Sequence, residues 1–117
     1  MTEADDIKLD RLCSVCMVEV AGAFIRTASG DQPDETLTQN VLQWLDLEKS
    51  LERVERVVNH VHIYDEFDGL QEDEYDEIAV RVFLSWNSAV KQIDPSLRVE
   101  KYEDYGPTLT LYKRREA

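Results

Sequence analysis

The chain is short of positive charge. Of its 117 residues, 13 are Lys or Arg and 25 are Asp or Glu, which gives a formal net charge of −12 at pH 7. Nucleic-acid affinity depends on basic side chains that neutralise phosphates, so this composition argues against direct nucleic-acid binding. It also disfavours anionic membrane surfaces. A protein from a salt-adapted organism would also have few Lys and many Asp and Glu residues. In that case the acidity would serve solvation and would not indicate a particular partner.

Long apolar segments are also missing. No stretch approaches the roughly 18–20 uninterrupted apolar residues of a spanning helix, and the longest candidate, residues 15–25, contains Glu19. The first six residues, Met-Thr-Glu-Ala-Asp-Asp, are acidic where a signal peptide would be basic. We therefore expect a cytoplasmic protein that has no membrane partner.

Cysteine and glycine are scarce, which limits the chemistry. Cys13 and Cys16, the only two cysteines, cannot build a disulfide framework, in agreement with a reducing compartment. With four glycines, the chain has no Gly-rich phosphate loop, no Gly-x-Ser-x-Gly and no His-Glu-x-x-His. We predict no cofactor and no catalytic residue, and expect a protein that is not an enzyme.

Two amphipathic helices are predicted in the first half of the chain. Apolar residues recur with helical period from about residue 5, and turn composition ends the segment near Gly30. The residues on this stripe are Leu9, Leu12, Cys13, Cys16, Val20, Ala23 and Phe24. A second helix is predicted to begin at Pro33, with acidic residues in its first turn, and to reach about Arg53. The breadth of the first stripe would suit burial on two sides, so a homodimer is a further expectation.

The chain after this point has strand-like patterns. Residues 51–62 fit a helix as well as a strand, and the β-branched residues after Val57 favour a strand over about 56–64. A period of two from Ile78 to Trp86 predicts an interior strand. Residues 87–94 are predicted to form one helical turn before Pro95.

A β-hairpin is predicted at the C-terminal end. The sequence Asp-Tyr-Gly-Pro at residues 104–107 is typical of a turn, and it joins two alternating segments, residues 97–103 and 108–114. Its predicted buried face consists of Leu97, Val99, Leu109 and Leu111. The basic run at residues 113–115 would protect an edge strand or pair with the acidic residues between 64 and 77.

Together these patterns predict one α+β domain over residues 1–117. Two N-terminal helices, within about 5–53, would pack on one face of a three- to four-stranded antiparallel sheet within about 56–115. The sheet part would carry an acidic loop, residues 64–77, and end in the C-terminal β-hairpin.

This loop is the strongest local signal in the sequence. It contains eight carboxylates, and no Lys or Arg lies between Arg56 and Arg81. Aromatic anchors among carboxylates favour docking of a basic protein surface. The residues predicted to form this interaction site are Tyr64, Asp65, Glu66, Phe67, Asp68, Glu72, Asp73, Glu74, Tyr75, Asp76 and Glu77. An inhibitor, an immunity protein, a chaperone and a DNA mimic would all fit. The alternative is a solvated loop whose aromatic side chains fold back onto the sheet.

A calcium loop is excluded by its register. If Gly69 is placed at the sixth position of an EF-hand loop, Tyr64 falls at the first position and Tyr75 at the twelfth, where carboxylates are needed.

Two other classes of function stay open. A metal-binding or redox protein would use Cys13, Cys16, His60 and His62, although both cysteines lie in the apolar stripe, where thiols behave as small hydrophobes. The two His residues alone could form a pH-sensitive patch. A ligand-binding domain or an enzyme would use a pocket lined by Trp44, Trp86 and Tyr102.

Overall fold

The chain begins with a helix and a β-hairpin. The computed structural model describes residues 1–27 and 32–115. Thr2 caps helix α1 (Glu3–Cys13) through a reciprocal pair of hydrogen bonds with Asp5. Strand β1 (Cys16–Val20) then pairs antiparallel with β2 (Ala23–Thr27). Ala21 and Gly22 both have positive φ angles, 52° and 89°, as a two-residue hairpin turn requires.

The predicted first helix is therefore wrong beyond Cys13. Its apolar positions also suit a strand pair, because Ala23 and Ile25 point to one side and are both buried. The predicted end near Gly30 lies outside the described residues. Arg26 on β2 joins the hairpin to the end of α1, since its guanidinium donates to the carbonyl oxygens of Leu12 and Ser14 at 2.8 and 2.9 Å. Burial of this guanidinium lowers its pKa.

The second predicted helix is broken into two. Helix α2 (Glu35–Glu48) is capped by the Asp34 carboxylate and ends where Lys49 takes a left-handed conformation, with φ 58°. Ser50 then caps α3 (Leu51–Val58). The prediction of a single helix to about Arg53 is therefore wrong, because the helix is interrupted at Lys49 and Ser50.

The predicted strand over 56–64 is confirmed for only two residues. The ambiguous segment is helical to the end of α3, and strand β3 (Val61–His62) follows. The chain then turns into the short helix α4 (Ile63–Glu66).

The predicted interior strand over residues 78–86 is wrong, because this segment belongs to the 22-residue helix α5 (Glu72–Ile93). The alternating pattern contained an i, i+4 stripe of Ile78, Val82 and Trp86, all of which are buried. Leu84 belonged to the same alternation, and it lies on the outer face of α5 with 59% exposure. The predicted turn over residues 87–94 is the C-terminal end of α5.

The C-terminal hairpin is confirmed. Strand β4 (Leu97–Glu103) pairs antiparallel with β5 (Pro107–Lys113), and β5 also pairs with β3, so the sheet order is β3-β5-β4. Leu97, Leu109 and Leu111 are buried and Val99 packs against the same core, as expected for this face.

Within residues 1–27 and 32–115, the architecture is α+β, with five helices and two antiparallel sheets of two and three strands. The helices are interleaved with the strands, contrary to the predicted pair of N-terminal helices on one sheet. One apolar cluster lies around Trp86 between α1, α5 and the three-stranded sheet. A second, which includes Val41 and Val54, lies between α2, α3 and the two-stranded sheet.

Two polar side chains at and near the end of α3 connect the two sheets. The Asn59 side-chain amide donates to the carbonyl oxygens of Phe24 on β2 and Leu111 on β5, at 2.9 and 3.0 Å. The Glu55 carboxylate accepts from the backbone N–H groups of Phe24 and Lys113, at 2.7 and 2.9 Å. These side chains satisfy partly or fully buried backbone groups where β2 and β5 do not pair directly.

Candidate interaction face

The predicted acidic loop, residues 64–77, is largely helical, and we call it the acidic segment. It spans most of α4, a short connection and the first turns of α5. Phe67 is 1% exposed and belongs to the core, so its predicted role as a contact anchor is wrong. Tyr75 also packs against the core, and its hydroxyl donates to the Phe67 carbonyl oxygen at 2.9 Å.

Three of the carboxylates have a local structural role. Glu72, Asp73 and Glu74 occupy the first turn of α5, where negative charge interacts favourably with the helix dipole. The Glu74 carboxylate accepts a hydrogen bond from the backbone N–H of Gln71 at 3.2 Å and so completes a capping box. Their presence therefore needs no binding partner.

No carboxylate of this segment forms an ion pair with any residue that the structure describes. All the ion pairs found there involve acidic residues elsewhere in the chain: Asp46, Glu48, Glu52, Glu55, Asp94 and Glu100. Asp65, Asp68 and Asp76 are exposed. Neighbouring cations compensate the negative charge of this segment only at its Glu66 end, where the Lys8 ammonium donates to the Glu66 backbone carbonyl oxygen at 3.0 Å and Arg26 interacts with the Glu66 carboxylate.

The tip of the β4–β5 hairpin lies beside this segment. A Cβ atom built on Gly106 would lie 2.5 Å from the Tyr64 ring, so the backbone of the tip is packed against that ring. Tyr64 in turn contacts the Tyr75 ring at 4.7 Å between centroids and donates a 2.5 Å hydrogen bond to Glu72. The hairpin tip and the N-terminal end of α5 therefore form one surface.

The pKa of the Tyr64 phenol is raised by the acidic groups of the same surface. The hydrogen bond to Glu72 is the main cause that raises the pKa of this phenol to about 12. The negative charges of Glu103 on β4 and Asp76 on α5 also raise it. Carboxylates from two separate parts of the chain thus act on one side chain.

The most exposed aromatic side chain of this surface was not predicted from the sequence. Tyr105 is 86% exposed at the hairpin tip and has a left-handed backbone, with φ 54°. Its position within a predicted turn was the available signal, because turns project their side chains into solvent. We define the acidic face as the hairpin tip and the carboxylates around the Tyr64 ring, together with the exposed carboxylates that follow Tyr64 in the chain: Tyr64, Asp65, Asp68, Glu72, Asp76, Glu103, Asp104 and Tyr105.

The residues of the predicted Cys–His metal site lie on several elements. Cys13 ends α1 and Cys16 begins β1, and both are free thiols of intermediate burial. His60 follows α3, and its ring lies 4.8 Å from that of His62 between centroids. In the described part of the chain, no group of three or more His, Cys, Asp or Glu side chains could hold a metal ion. The predicted four-residue site is therefore not formed.

The aromatic residues proposed to line a pocket lie apart. Trp86 is in the core cluster of α5, whereas Trp44 packs against the cluster between α2 and α3. Tyr102 is exposed on β4. The structure does not bring these three side chains into one pocket.

The basic run at the C-terminal end of β5 does not meet the acidic segment. Arg115 instead forms a bidentate pair with Glu55, at 2.8 and 2.7 Å. Lys113 pairs with Asp94 at 3.5 Å.

Comparison with known proteins adds no family: no family model, curated protein or solved structure matches the chain. Among the described residues, no helix is long and apolar enough to cross a membrane. The geometry and the charge of the acidic face are therefore the basis on which a function can be inferred.

Proposed function

We propose that this protein is a non-catalytic interaction module that binds a basic surface of another protein through the acidic face. The observation that supports this most directly is the pairing of a strongly exposed aromatic side chain, Tyr105, with carboxylates that lack ion-pair partners in the described structure. An inhibitor, an immunity protein, a chaperone or a DNA mimic would each fit this mode of binding.

The aromatic and the acidic residues would contribute differently. Tyrosine is enriched among the residues that supply most of the energy at protein interfaces, because it buries a large ring and also offers a hydroxyl. Surrounding carboxylates accelerate the encounter with a basic partner and reject acidic surfaces. We therefore expect Tyr105 to affect dissociation and the carboxylates to affect association.

The backbone at Tyr105 supports a role in binding. A left-handed conformation costs a residue other than glycine roughly 1–2 kcal/mol. The packing of Gly106 against Tyr64 holds the turn in place, so the exposed ring is presented on a rigid support. A preorganised side chain loses less conformational entropy on binding.

The first prediction tests the charge of the acidic face. The triple variant Asp65→Asn, Asp68→Asn, Asp76→Asn should lose most of the basic protein that the wild type retains from native lysate at low salt. These residues are exposed and lie outside the first turn of α5, so the fold should persist. The measurement is a pull-down at low and high salt with quantitative mass spectrometry, and the variant should show a weaker dependence on salt.

The matched control removes three charges elsewhere. Glu19→Gln, Glu35→Gln, Asp46→Asn changes the net charge by the same amount on β1 and α2, and it should retain the partner. Tyr105→Ala should release the partner with no change in net charge. If the acidic-face triple variant and the control triple variant lose the partner equally, the acidic face is not the binding site and the acidity acts generally. The same conclusion follows if neither the acidic-face triple variant nor Tyr105→Ala captures less of the partner than the wild type.

A further inference from the structure

A cleft between α1, β2 and α4 gathers positive charge in an otherwise acidic chain. Its volume is about 280 Å³. Helix α1 supplies Lys8 and Arg11, which are three residues apart and so share one side of the helix. Strand β2 supplies Arg26. The other lining residues are Leu12, Val61 and Glu66. The cleft is therefore lined by three cations and one carboxylate.

The three cations are not used up by internal ion pairs. None of them pairs with a carboxylate among the residues that the structure describes. The Lys8 ammonium donates to the Glu66 backbone carbonyl oxygen at 3.0 Å and has two further donors. Arg11 is exposed. Because Glu66 supplies the one negative charge, the side chains around the cleft have two positive charges in excess.

The Arg26 guanidinium is held in a fixed position at the end of α1. It donates through Nε and Nη2 to carbonyl oxygens at the end of this helix, and its Cζ atom lies 4.7 Å from the centre of the Trp86 ring. Its Nη1 atom forms no hydrogen bond with a described residue. Every fully buried side-chain nitrogen in the described part of the chain has a partner, so Nη1 is open to solvent.

The partial burial of Arg26 favours an anion in the cleft. Desolvation is the main cause that lowers the pKa of this guanidinium. A nearby negative charge with hydrogen-bond acceptors offsets such a loss of hydration. The Glu66 carboxylate contributes part of this compensation through its charge, without a direct ion pair.

From this arrangement we infer that the cleft binds a small phosphate dianion, either inorganic phosphate or the phosphate group of a small monoester. A phosphate group carries close to two negative charges at neutral pH and offers several acceptor oxygens, which matches the excess charge and the free donors. A single carboxylate would neutralise only half of that excess. Guanidinium and ammonium groups both bind phosphate through charge-assisted hydrogen bonds. None of the lining residues belongs to the acidic face, so this site lies beyond the proposed function.

The second prediction is that inorganic phosphate binds in this cleft with one ion per chain. The full chain is titrated with phosphate at constant pH in about 0.15 M NaCl, which screens long-range attraction, and its amide resonances are followed by NMR. Saturable shifts should centre on Arg11, Arg26, Val61 and Glu66. The double variant Lys8→Gln, Arg11→Gln should weaken binding at least about tenfold, because two charged donors are lost. Lys8 and Arg11 are both exposed, so this variant should fold.

The matched control removes one Arg and one Lys from another surface. Arg81→Gln, Lys91→Gln changes the net charge by the same amount at exposed positions of α5 and should bind phosphate like the wild type. Equal weakening by the two double variants would show that phosphate responds only to net charge, and would overturn the inference. Shifts centred outside the cleft, or an absence of saturable binding, would do the same.

A second probe distinguishes the two sources of the phosphate group. Glycerol phosphate is titrated under the same conditions. Binding at least as tight as that of inorganic phosphate would assign the cleft to a monoester whose carbon chain contacts Leu12 and Val61. Weaker binding of glycerol phosphate would assign it to the free ion.

Discussion

At the scale of single residues, Glu55 has the most demanding environment in the described structure. Its side chain is 0% exposed, and it accepts hydrogen bonds from β2, from β5 and from the Arg115 guanidinium. A buried carboxylate persists only when its desolvation is offset by several such donors. Nothing in the sequence distinguishes this residue from the other acidic residues of a strongly acidic chain.

The third prediction concerns this carboxylate. Glu55→Gln should lower the free energy of unfolding by about 1–3 kcal/mol, because the partly exposed Arg115 and the partly buried backbone N–H groups of Phe24 and Lys113 lose their charged acceptor. Urea unfolding monitored by tryptophan fluorescence provides the measurement. Glu52→Gln, on the same helix, removes only a partly exposed pair with Arg56 and should cost less than about 1 kcal/mol. Similar costs for the two variants would contradict the assigned role of Glu55.

At the scale of elements, the acidic face depends on the contact between the hairpin tip and α4. Gly106 has φ 83° and is packed against the Tyr64 ring. Gly69, in the connection before α5, has a similar φ of 72° but nothing within 4 Å of where its Cβ would lie. The two glycines therefore share a backbone requirement and differ in packing.

The fourth prediction uses this matched pair. Gly69→Ala should destabilise the protein by about 1 kcal/mol, the backbone cost alone. Gly106→Ala should cost more and should also shift the resonances of Tyr64 and Tyr105, since its new Cβ must displace the Tyr64 ring. Thermal unfolding and NMR together supply the measurement. If the two variants have equal stability, the hairpin tip does not pack on Tyr64 as described.

The element scale also shows where sequence patterns were sufficient. The C-terminal hairpin was predictable because its turn residues and its alternation agree, and both act over a few neighbours in the chain. The segment from Ile78 to Trp86 was not, because its apolar residues satisfy a strand period and a helix period at once. Its true state depends on the sheet against which Val82 and Trp86 pack.

At the scale of the whole molecule, the charge is unevenly compensated. One cluster away from the acidic segment is well paired. The Arg56 guanidinium donates to the Glu100 carboxylate at 2.7 Å and lies 3.8 Å from the centre of the Tyr112 ring, so it connects α3 to the three-stranded sheet. The hydrogen bond from Arg56 is the main cause that lowers the pKa of Glu100, and a bond from Tyr112 also lowers it. Which acidic residues form ion pairs therefore depends on which helices and strands pack together. It cannot be read from where acidic residues are concentrated in the sequence.

The fifth prediction follows from that lowered pKa. A folded-state pKa below the ordinary value means that the ion pair stabilises the protein above pH 4.5 and that this stability is lost as the pH falls further. Glu100→Gln should therefore cost less than about 1 kcal/mol at neutral pH, since the pair is partly exposed.

The difference in stability between the wild type and this variant should shrink progressively as the pH falls below 4.5. Urea unfolding across this range tests it, and comparing the two proteins cancels the general repulsion among the other carboxylates. A difference that stays constant with pH would contradict the prediction.

The sequence by itself determined the features that depend on composition or on near neighbours. These are the strong acidity, the block of carboxylates before Arg81, the α+β class and the hairpin with its buried face. Each follows from local turn chemistry or from a simple count of charges.

Only the tertiary structure decided which apolar pattern is a strand and which is a helix. It buried Phe67, exposed Tyr105, paired Arg115 with Glu55 and placed the two imidazoles together. The physical reason is that burial and long-range pairing depend on what lies opposite a residue in space, and near neighbours in the chain do not specify that.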